Sequence, residues 1–445
     1  TGLLEALSDL GLSYHNTIGV GDAENDHSLL DACEIGVAVA NSVGALQAHA
    51  DMVLTLPDGP GLADLLRGPL LTGRAHAHPR RWQVTLGLDD RGEAVTLPAS
   101  QLNVAVCGGA GQGKSYLAGL ICEQLVSLGY SLVVFDPEGD HLGLGELRGV
   151  FVTGGHEGRL ADPAEVMHLL RHRHDSVVAD LSHLDAAGHA AYESGLAGEV
   201  EAHRAATGLP QWVVVDEAHQ TVGRAATARR LLNPAVKGYL LVTWRPEELS
   251  AEALVGLDAV IALGSPQPDS LLVDLAAAVA DMPRAEIARL LEGPPGRAVL
   301  AWRQRPSQGA PPPPSWVSGK IMRGGAVAFT VGFRVTPHLR HEHKYDQSGA
   351  EPASRFHFRT EPDTLTGAIA ANLAELEAEL ARCDQGVLRH HCPRHDFSSW
   401  TAAVLRDKAL AADLSAAEAA VPAQSPAAVV EQARLALIAA LQARR

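Results

Sequence analysis

The run Gly108-Gly109-Ala110-Gly111-Gln112-Gly113-Lys114-Ser115 constrains this chain more than any other stretch. It follows the apolar segment 103–107 directly and precedes a helical pattern over 116–128, so it reads as the turn from a buried strand into a helix. Glycines at 108, 109, 111 and 113 let the backbone wrap until successive N–H groups converge, and the following helix adds the positive end of its dipole. A loop of this pattern cradles phosphates. Within it Lys114 reaches the β and γ phosphates, Ser115 offers an oxygen to Mg²⁺, and Tyr116 opens the helix that faces the ligand. The bland alternative is a glycine-rich turn holding an incidental lysine. With only five lysines among 445 residues, that coincidence is harder to accept.

Further apolar runs at 131–135, 149–152, 176–180, 212–215, 239–243, 259–263 and 298–302 alternate with helical patterns, as buried parallel strands do. The segment 1–72 repeats the alternation on a smaller scale, with helices expected over 2–10, 26–32 and 43–49 and strands over 17–21, 35–40 and 52–54. Prolines 311–314 mark a semi-rigid spacer. The expected division is therefore 1–72, 80–305, a linker over 306–319, and a His-rich segment 320–445 that is α+β or mostly helical, with helices over 366–382, 398–412 and 426–443.

Composition narrows the class. Hydrophobic residues make up 46% and charged ones 20%, too apolar for a disordered chain. The net charge of -16 excludes a wholly basic nucleic-acid coat. No run of 18 apolar residues occurs, so no membrane span is expected. Five cysteines without CxxC spacing point to a reducing, cytoplasmic compartment.

A nucleotide hydrolase needs a second acid at the metal and a group that orients water. Trp212-Val213-Val214-Val215-Asp216-Glu217-Ala218-His219 places two acids at the end of an apolar strand, Asp216 for Mg²⁺ and Glu217 as general base. An ordinary polar strand end is the alternative. Arg245, Arg229 and Arg230 are candidates for stabilising charge on the transferred phosphate, against the plainer reading of solvated arginines. The run Asp136 to Asp140 is either part of the site or a polar turn.

The phosphate loop, Val134-Phe135-Asp136-Pro137-Glu138-Gly139-Asp140, the Asp-Glu-Ala-His stretch and Leu240-Leu241-Val242-Thr243-Trp244-Arg245-Pro246-Glu247-Glu248-Leu249-Ser250 resemble, in this order, the HerA/FtsK superfamily of P-loop ATPases. The resemblance covers about 80–305 and implies a RecA-like parallel sheet, ATP as ligand, Thr243 as a residue that senses the γ-phosphate, and assembly into a homo-oligomeric ring. Where that superfamily usually carries Gln after the Thr, this chain has Trp244.

Near the start, Ile18-Gly19-Val20-Gly21-Asp22-Ala23-Glu24-Asn25-Asp26 offers Asp22 and Asp26 as hard oxygen ligands for Mg²⁺, or simply a capped helix start. With Gly36-Val37-Ala38-Val39-Ala40-Asn41-Ser42, Ala50-Asp51 and Gly59-Pro60-Gly61-Leu62, it resembles the C-terminal end of a Cof-type haloacid dehalogenase phosphatase with a partial Rossmann-like fold. That family uses a DxD nucleophile motif and a lysine ahead of this loop. No DxD precedes Gly21 and no Lys precedes Lys114, so a fragment without phosphatase activity is expected.

In the last segment His338, His341 and His343 form one cluster and His390, His391, Cys392, His395 and Asp396 another, without a standard zinc spacing. Asp396 to Trp400 reads as a helix entry capped by Asp396 or a serine, with Phe397, Trp400, Val404 and Leu405 packing a core. Three functional expectations stand side by side: a Mg²⁺-dependent ATPase, a nucleotide-gated protein-binding module with slow turnover, and a DNA-translocating motor, the last resting on resemblance alone because no basic stripe is present.

Overall fold

The computed structural model describes residues 2–71, 79, 81–109, 111–155, 158–173, 175–223, 236–264, 271–294, 296–303, 325–336, 355–361, 364–405, 408–422 and 424–444. Ala110, Arg229, Arg230, the proline run and the cluster His338, His341, His343 lie outside them. The chain forms two compact units, Thr1–Leu339 and Arg340–Arg445.

Among the described residues, the first unit is built on an eleven-stranded sheet. Its strands are β4 (Gln83–Leu88), β5 (Ala94–Pro98), β6 (Val104–Gly108), β7 (Leu132–Asp136), β8 (Val150–Gly154), β9 (Ser176–Asp180), β10 (Trp212–Val215), β11 (Tyr239–Thr243), β12 (Ala259–Leu263), β13 (Arg297–Trp302) and β14 (Gly325–Val331). Their order is β5-β4-β14-β13-β12-β6-β11-β10-β7-β9-β8. From β12 to β8 every pairing is parallel, and from β12 to β5 every pairing is antiparallel. The apolar runs are all strands: the inner ones, covered on both faces, have no polar side to show, while β8 at the sheet edge leaves Phe151 and Val152 exposed. Every residue of β6, β7, β9, β11 and β12 is buried.

The helix α5 (Lys114–Ser127), which follows β6, is apolar almost all round, burying Leu117, Leu120, Ile121, Cys122 and Leu125. At about 1.5–3 kcal/mol for each large side chain, this burial anchors the helix whose N-terminus carries the phosphate loop. One boundary moves. The strand β14 falls inside the expected final segment 320–445, yet it pairs with β13 and β4 in the central sheet. The proline run masks that continuity: a spacer in sequence need not separate domains in space.

The N-terminal segment adds a three-stranded parallel sheet of β1 (Ile18–Gly21), β2 (Ile35–Ala38) and β3 (Met52–Val53), with α1 (Gly2–Leu10), α2 (His27–Ala32), α3 (Gly44–His49) and α4 (Asp58–Arg67). A buried polar seam joins it to the larger sheet. His15 Nδ1 lies 2.6 Å from Glu34 Oε2, and Ser100 Oγ and Tyr130 OH donate to the same carboxylate at 2.7 and 2.9 Å. The His15 and Tyr130 rings stack at 3.7 Å. Tyr14 OH donates to Leu128 O at 3.0 Å, and Arg81 clasps Asp51 at 2.6 Å. Residues 100 and 128–130 precede β6 and β7, so the seam lies at the end of the sheet opposite the phosphate loop.

In the second unit β15 (Phe356–Glu361) and β16 (Thr364–Ala370) form an antiparallel hairpin. Helices follow at Leu373–Arg382, Gln385–His391, Asp396–Trp400, Lys408–Glu418 and Ala427–Arg444. Their core holds Phe358, Leu376, Leu388, Phe397, Trp400, Leu414 and Leu437. Two expectations change here. Residues 366–370 are strand rather than helix: Thr364, Thr366 and Ile369 are β-branched, and Gly367 sits at φ 85°, which interrupts a helix. At the 396–400 helix, the N–H groups of Phe397 and Ser398 are capped by Glu418, brought in from a later helix, at 2.8 and 3.2 Å.

Candidate active site

The site assembles at the C-terminal ends of adjacent strands. Cys107 of β6 pairs with Thr243 of β11, Leu241 of β11 with Val215 of β10, and Val215 with Phe135 of β7. The phosphate loop, Thr243, Asp216 and Asp136 therefore emerge side by side, at the edge where open α/β sheets bind ligands. Gly108 is required for more than flexibility, since a Cβ there would stand 2.8 Å from Leu263 O. Gly111 and Gly113 take φ 69° and 92°, which turn the loop's backbone inward. Lys114 is 4% exposed, and its Nζ donates to Gly109 O at 3.1 Å, lying across the loop it belongs to. Ser115 is also buried. The hydroxyl of Tyr116 donates to Gly332 O at 3.3 Å and accepts the Arg334 N–H at 2.9 Å, so it is used away from the loop.

Asp216 is held from two sides. Its Oδ1 accepts the Glu217 N–H at 2.8 Å, and its Oδ2 lies 2.9 Å from His141 Nε2. Asp136 in turn accepts the N–H groups of Asp140 and His141 at 3.0 and 2.8 Å. The 136–140 run is thus a polar turn whose product is the placement of His141. Burial pushes the Asp136 carboxyl up to about 7, with His141 opposing and Asp216 adding to the rise. Burial pulls His141 down, but its hydrogen bond to Asp216 and the charges of Asp136, Asp216 and Asp140 outweigh that and leave it raised. The ligating atoms of Asp136, His141 and Asp216 lie within 4.8 Å of one another. His141 carried no signal in the sequence, because its partner lies 75 positions away.

Glu217 adopts φ 47°, an unusual backbone conformation for a side-chain-bearing residue. Its Oε2 lies 3.3 Å from His219 Nδ1, which is also 3.1 Å from Thr243 Oγ1. Thr243 Oγ1 accepts the Arg245 N–H at 3.0 Å. Burial holds His219 below its usual range, assisted by Arg245 and Lys114. The Arg245 guanidinium lies 4.0 Å over the Trp244 ring and pairs with Glu248 at 2.7 Å, while the His219 ring meets Trp244 edge-on at 5.6 Å. In the sequence His219 stood in full view in the Asp-Glu-Ala-His stretch, but only the fold shows that it links Glu217 to the strand between β6 and β10.

Mg²⁺ suits the chemistry of Ser115 and Asp216, a hydroxyl and a carboxylate, both hard oxygen donors and both buried. At the N-terminal loop, Asp26 Oδ2 accepts the N–H groups of Asp22 and Ala23 at 2.9 and 3.1 Å, bonds that hold it below the usual carboxylate range. Asp22 is exposed, and neither acid belongs to the two His/carboxylate clusters found among the described residues. The second such cluster is His390, His391 and Asp396. Both His391 nitrogens are engaged there: Nδ1 with Asp396 at 2.7 Å, Nε2 accepting the Arg359 N–H at 2.9 Å. Arg394 packs against His390. No helix among the described residues is long and apolar enough to cross a membrane.

Comparison with known proteins divides along the same lines. Residues 1–66 match the family of haloacid dehalogenase-like hydrolases, and residues 92–190 match the central domain of the helicase HerA. The chain is thus similar to haloacid dehalogenase-like hydrolases at its start and to the HerA central domain after it. Over 66 residues it is 39% identical to a phosphoglycolate phosphatase of Methanopyrus kandleri, covering 15% of this chain and 28% of the relative. Over 58 residues it is 38% identical to that of Archaeoglobus fulgidus, covering 13% and 26%. The chain spans about a quarter of the length of these curated relatives. Among solved structures, the genome packaging NTPase B204 from Sulfolobus turreted icosahedral virus 2 in complex with ATP-gammaS aligns with a TM-score of 0.33 at 16% identity, covering 45% of this chain and 91% of B204. VirB4 of Thermoanaerobacter pseudethanolicus aligns with a TM-score of 0.38 at 12% identity, covering 59% and 99%.

Proposed function

We propose that this chain binds ATP with Mg²⁺ at the loop 108–115 and hydrolyses it by attack of a water that Glu217 orients. The observation that carries this reading is the convergence of Lys114, Ser115, Asp216, Glu217 and Thr243, all buried, at the ends of β6, β10 and β11. Ser115 and Asp216 would hold the metal, which when bound neutralises charge on the β and γ phosphate oxygens. Lys114 moves from Gly109 O to the phosphates. Glu217 accepts the water's proton, and Arg245 is the cation nearest to Thr243 along the chain. The five cysteines are free, in keeping with a cytoplasmic setting, and we extend the reading to a homo-oligomer.

One observation favours slower turnover. Glu217 faces His219, and His219 contacts Thr243, so the general base is occupied before any water reaches it. A nucleotide-gated module would show this arrangement. ATP turnover of the wild type and of Lys114→Ala and Glu217→Gln, with and without duplex DNA, separates the readings. Turnover lost in both variants and indifferent to DNA supports the ATPase. Stimulation by DNA supports a motor despite the charge of -16. Binding with negligible turnover supports the gated module, and no ATP binding by the wild type overturns the assignment.

A further inference from the structure

We propose that Phe333, displayed by the segment 332–336, is the platform on which the base of the bound nucleotide stacks; this rests on the phosphate-loop reading above. The topology locates the segment. Gly108 pairs with Leu263, Leu263 with Ala298, and Ala298 with Phe329, so β14 ends in the same row as β6, three strands away, roughly 14 Å at the spacing of a sheet. Two antiparallel steps separate β14 from β12, and β12 is parallel to β6, so β14 runs toward the phosphate-loop edge.

Beyond Val331 the chain turns onto α5 and is tied along it. Tyr116 OH bonds Gly332 O and the Arg334 N–H. Two turns further on, Glu123 accepts the N–H groups of Val335 and Thr336 at 2.8 and 3.0 Å and the Thr336 hydroxyl at 2.9 Å. Between these anchors the Arg334 side chain, 1% exposed, lies over Gly119, where a Cβ would overlap its guanidinium. Burial alternates along the segment. Arg334 and Thr336 point in; Phe333 and Val335 point out, 96% and 87% exposed. A phenyl ring left in water beside the first turn of the phosphate-loop helix forgoes about 1.5–3 kcal/mol of burial.

The direction of the ligand identifies what covers it. The γ end of a triphosphate in the loop faces Asp216, Glu217 and Thr243, on the β11–β10 side of β6. Its sugar and base therefore leave on the opposite side, toward β12, β13 and β14, where the segment passes Tyr116. A nucleobase has an apolar face that an aromatic ring accepts regardless of base identity. The chemical class recognised is a nucleobase, and the platform is held by Tyr116, Gly119, Glu123 and Arg334.

Affinities of the full chain for ATP and for inorganic tripolyphosphate, measured by calorimetry, test this. Phe333→Ala is expected to weaken ATP about tenfold or more, within the range of base stacking, and to leave tripolyphosphate unchanged. Phe333→Trp restores ATP affinity, and Gly119→Ala, which lifts Arg334 and the segment off α5, weakens ATP as Phe333→Ala does. Equal losses for both ligands, or no loss for ATP, overturn the proposal. So does loss of self-association by Phe333→Ala with ATP affinity intact, which would assign the ring to a second copy of the chain. Wild-type protein that binds neither ligand removes the phosphate-loop reading itself, a result distinct from failure of the platform alone.

Discussion

At the residue scale the site is defined by how each buried charge is answered. Glu217 holds a φ of 47° at 3% exposure, and such strain persists only where neighbours fix it, here the Asp216 carboxylate on its N–H and His219 beside its carboxylate. If Glu217 is the base proposed above, Glu217→Gln keeps the shape and removes it, so kcat is expected to fall by about 100-fold or more with ATP binding retained, measured by single-turnover kinetics and calorimetry. Glu193, on the helix Ala186–Thr207 and beside Thr221, offers a check on the effect of burial. Burial pushes it up to about 8, only partly offset by Thr221. The folded state therefore keeps a proton that the unfolded chain releases above the ordinary value of 4.5. Its contribution is fully present below that value and is lost as pH rises through about 8. Over that window the stability of the wild type is expected to decline relative to Glu193→Gln, by up to about 1.4 kcal/mol per pH unit, read from denaturant titrations at several pH values.

At the element scale the seam between the N-terminal segment and the large sheet is the most exacting contact. Glu34 is 4% exposed and takes bonds from His15, Ser100 and Tyr130, so its loss strips three buried groups of their acceptor. Glu34→Ala removes one member of a buried network and is expected to cost about 3–5 kcal/mol. Tyr130→Phe removes one hydroxyl donor, shared between the two Glu34 oxygens, and is expected to cost about 0.5–1.5 kcal/mol, both measured by urea unfolding. Gly129 belongs to the same seam, because at φ 89° a Cβ would overlap the Tyr14 hydroxyl.

The elements also show what the sequence could reveal. The parallel strands were legible because burial on both faces writes continuous apolar runs, and the phosphate loop because its glycines, Lys114 and Ser115 are contiguous. Less visible were β4, β5 and β14, whose antiparallel pairing mixes polar residues such as Gln83, Thr85, Thr96 and Thr330 into the pattern. The roles of His141 and Arg334 depend on partners 75 and 218 positions away, which no local pattern encodes.

On the scale of the whole molecule, the first compact unit buries one core around Val106, Leu132 and Leu240 and another on the opposite sheet face around Val133, Val215 and Leu241, and the second unit has its own around Phe358, Phe397 and Leu437. The two units are expected to melt separately, giving two calorimetric transitions. A non-hydrolysable ATP analogue at 100 times its Kd should raise the transition of the first unit, adding about 2.7 kcal/mol to its stability, and leave the second in place. Coincident shifts of both would contradict that independence.

Whether the loop after β6 and the acids after β10 form one hydrolytic site is read from ATP turnover with Mg²⁺ across wild type, Lys114→Ala and Glu217→Gln. Turnover by the wild type, loss of both binding and turnover in Lys114→Ala, and binding without turnover in Glu217→Gln are the expected results. Turnover that survives either substitution would contradict the account.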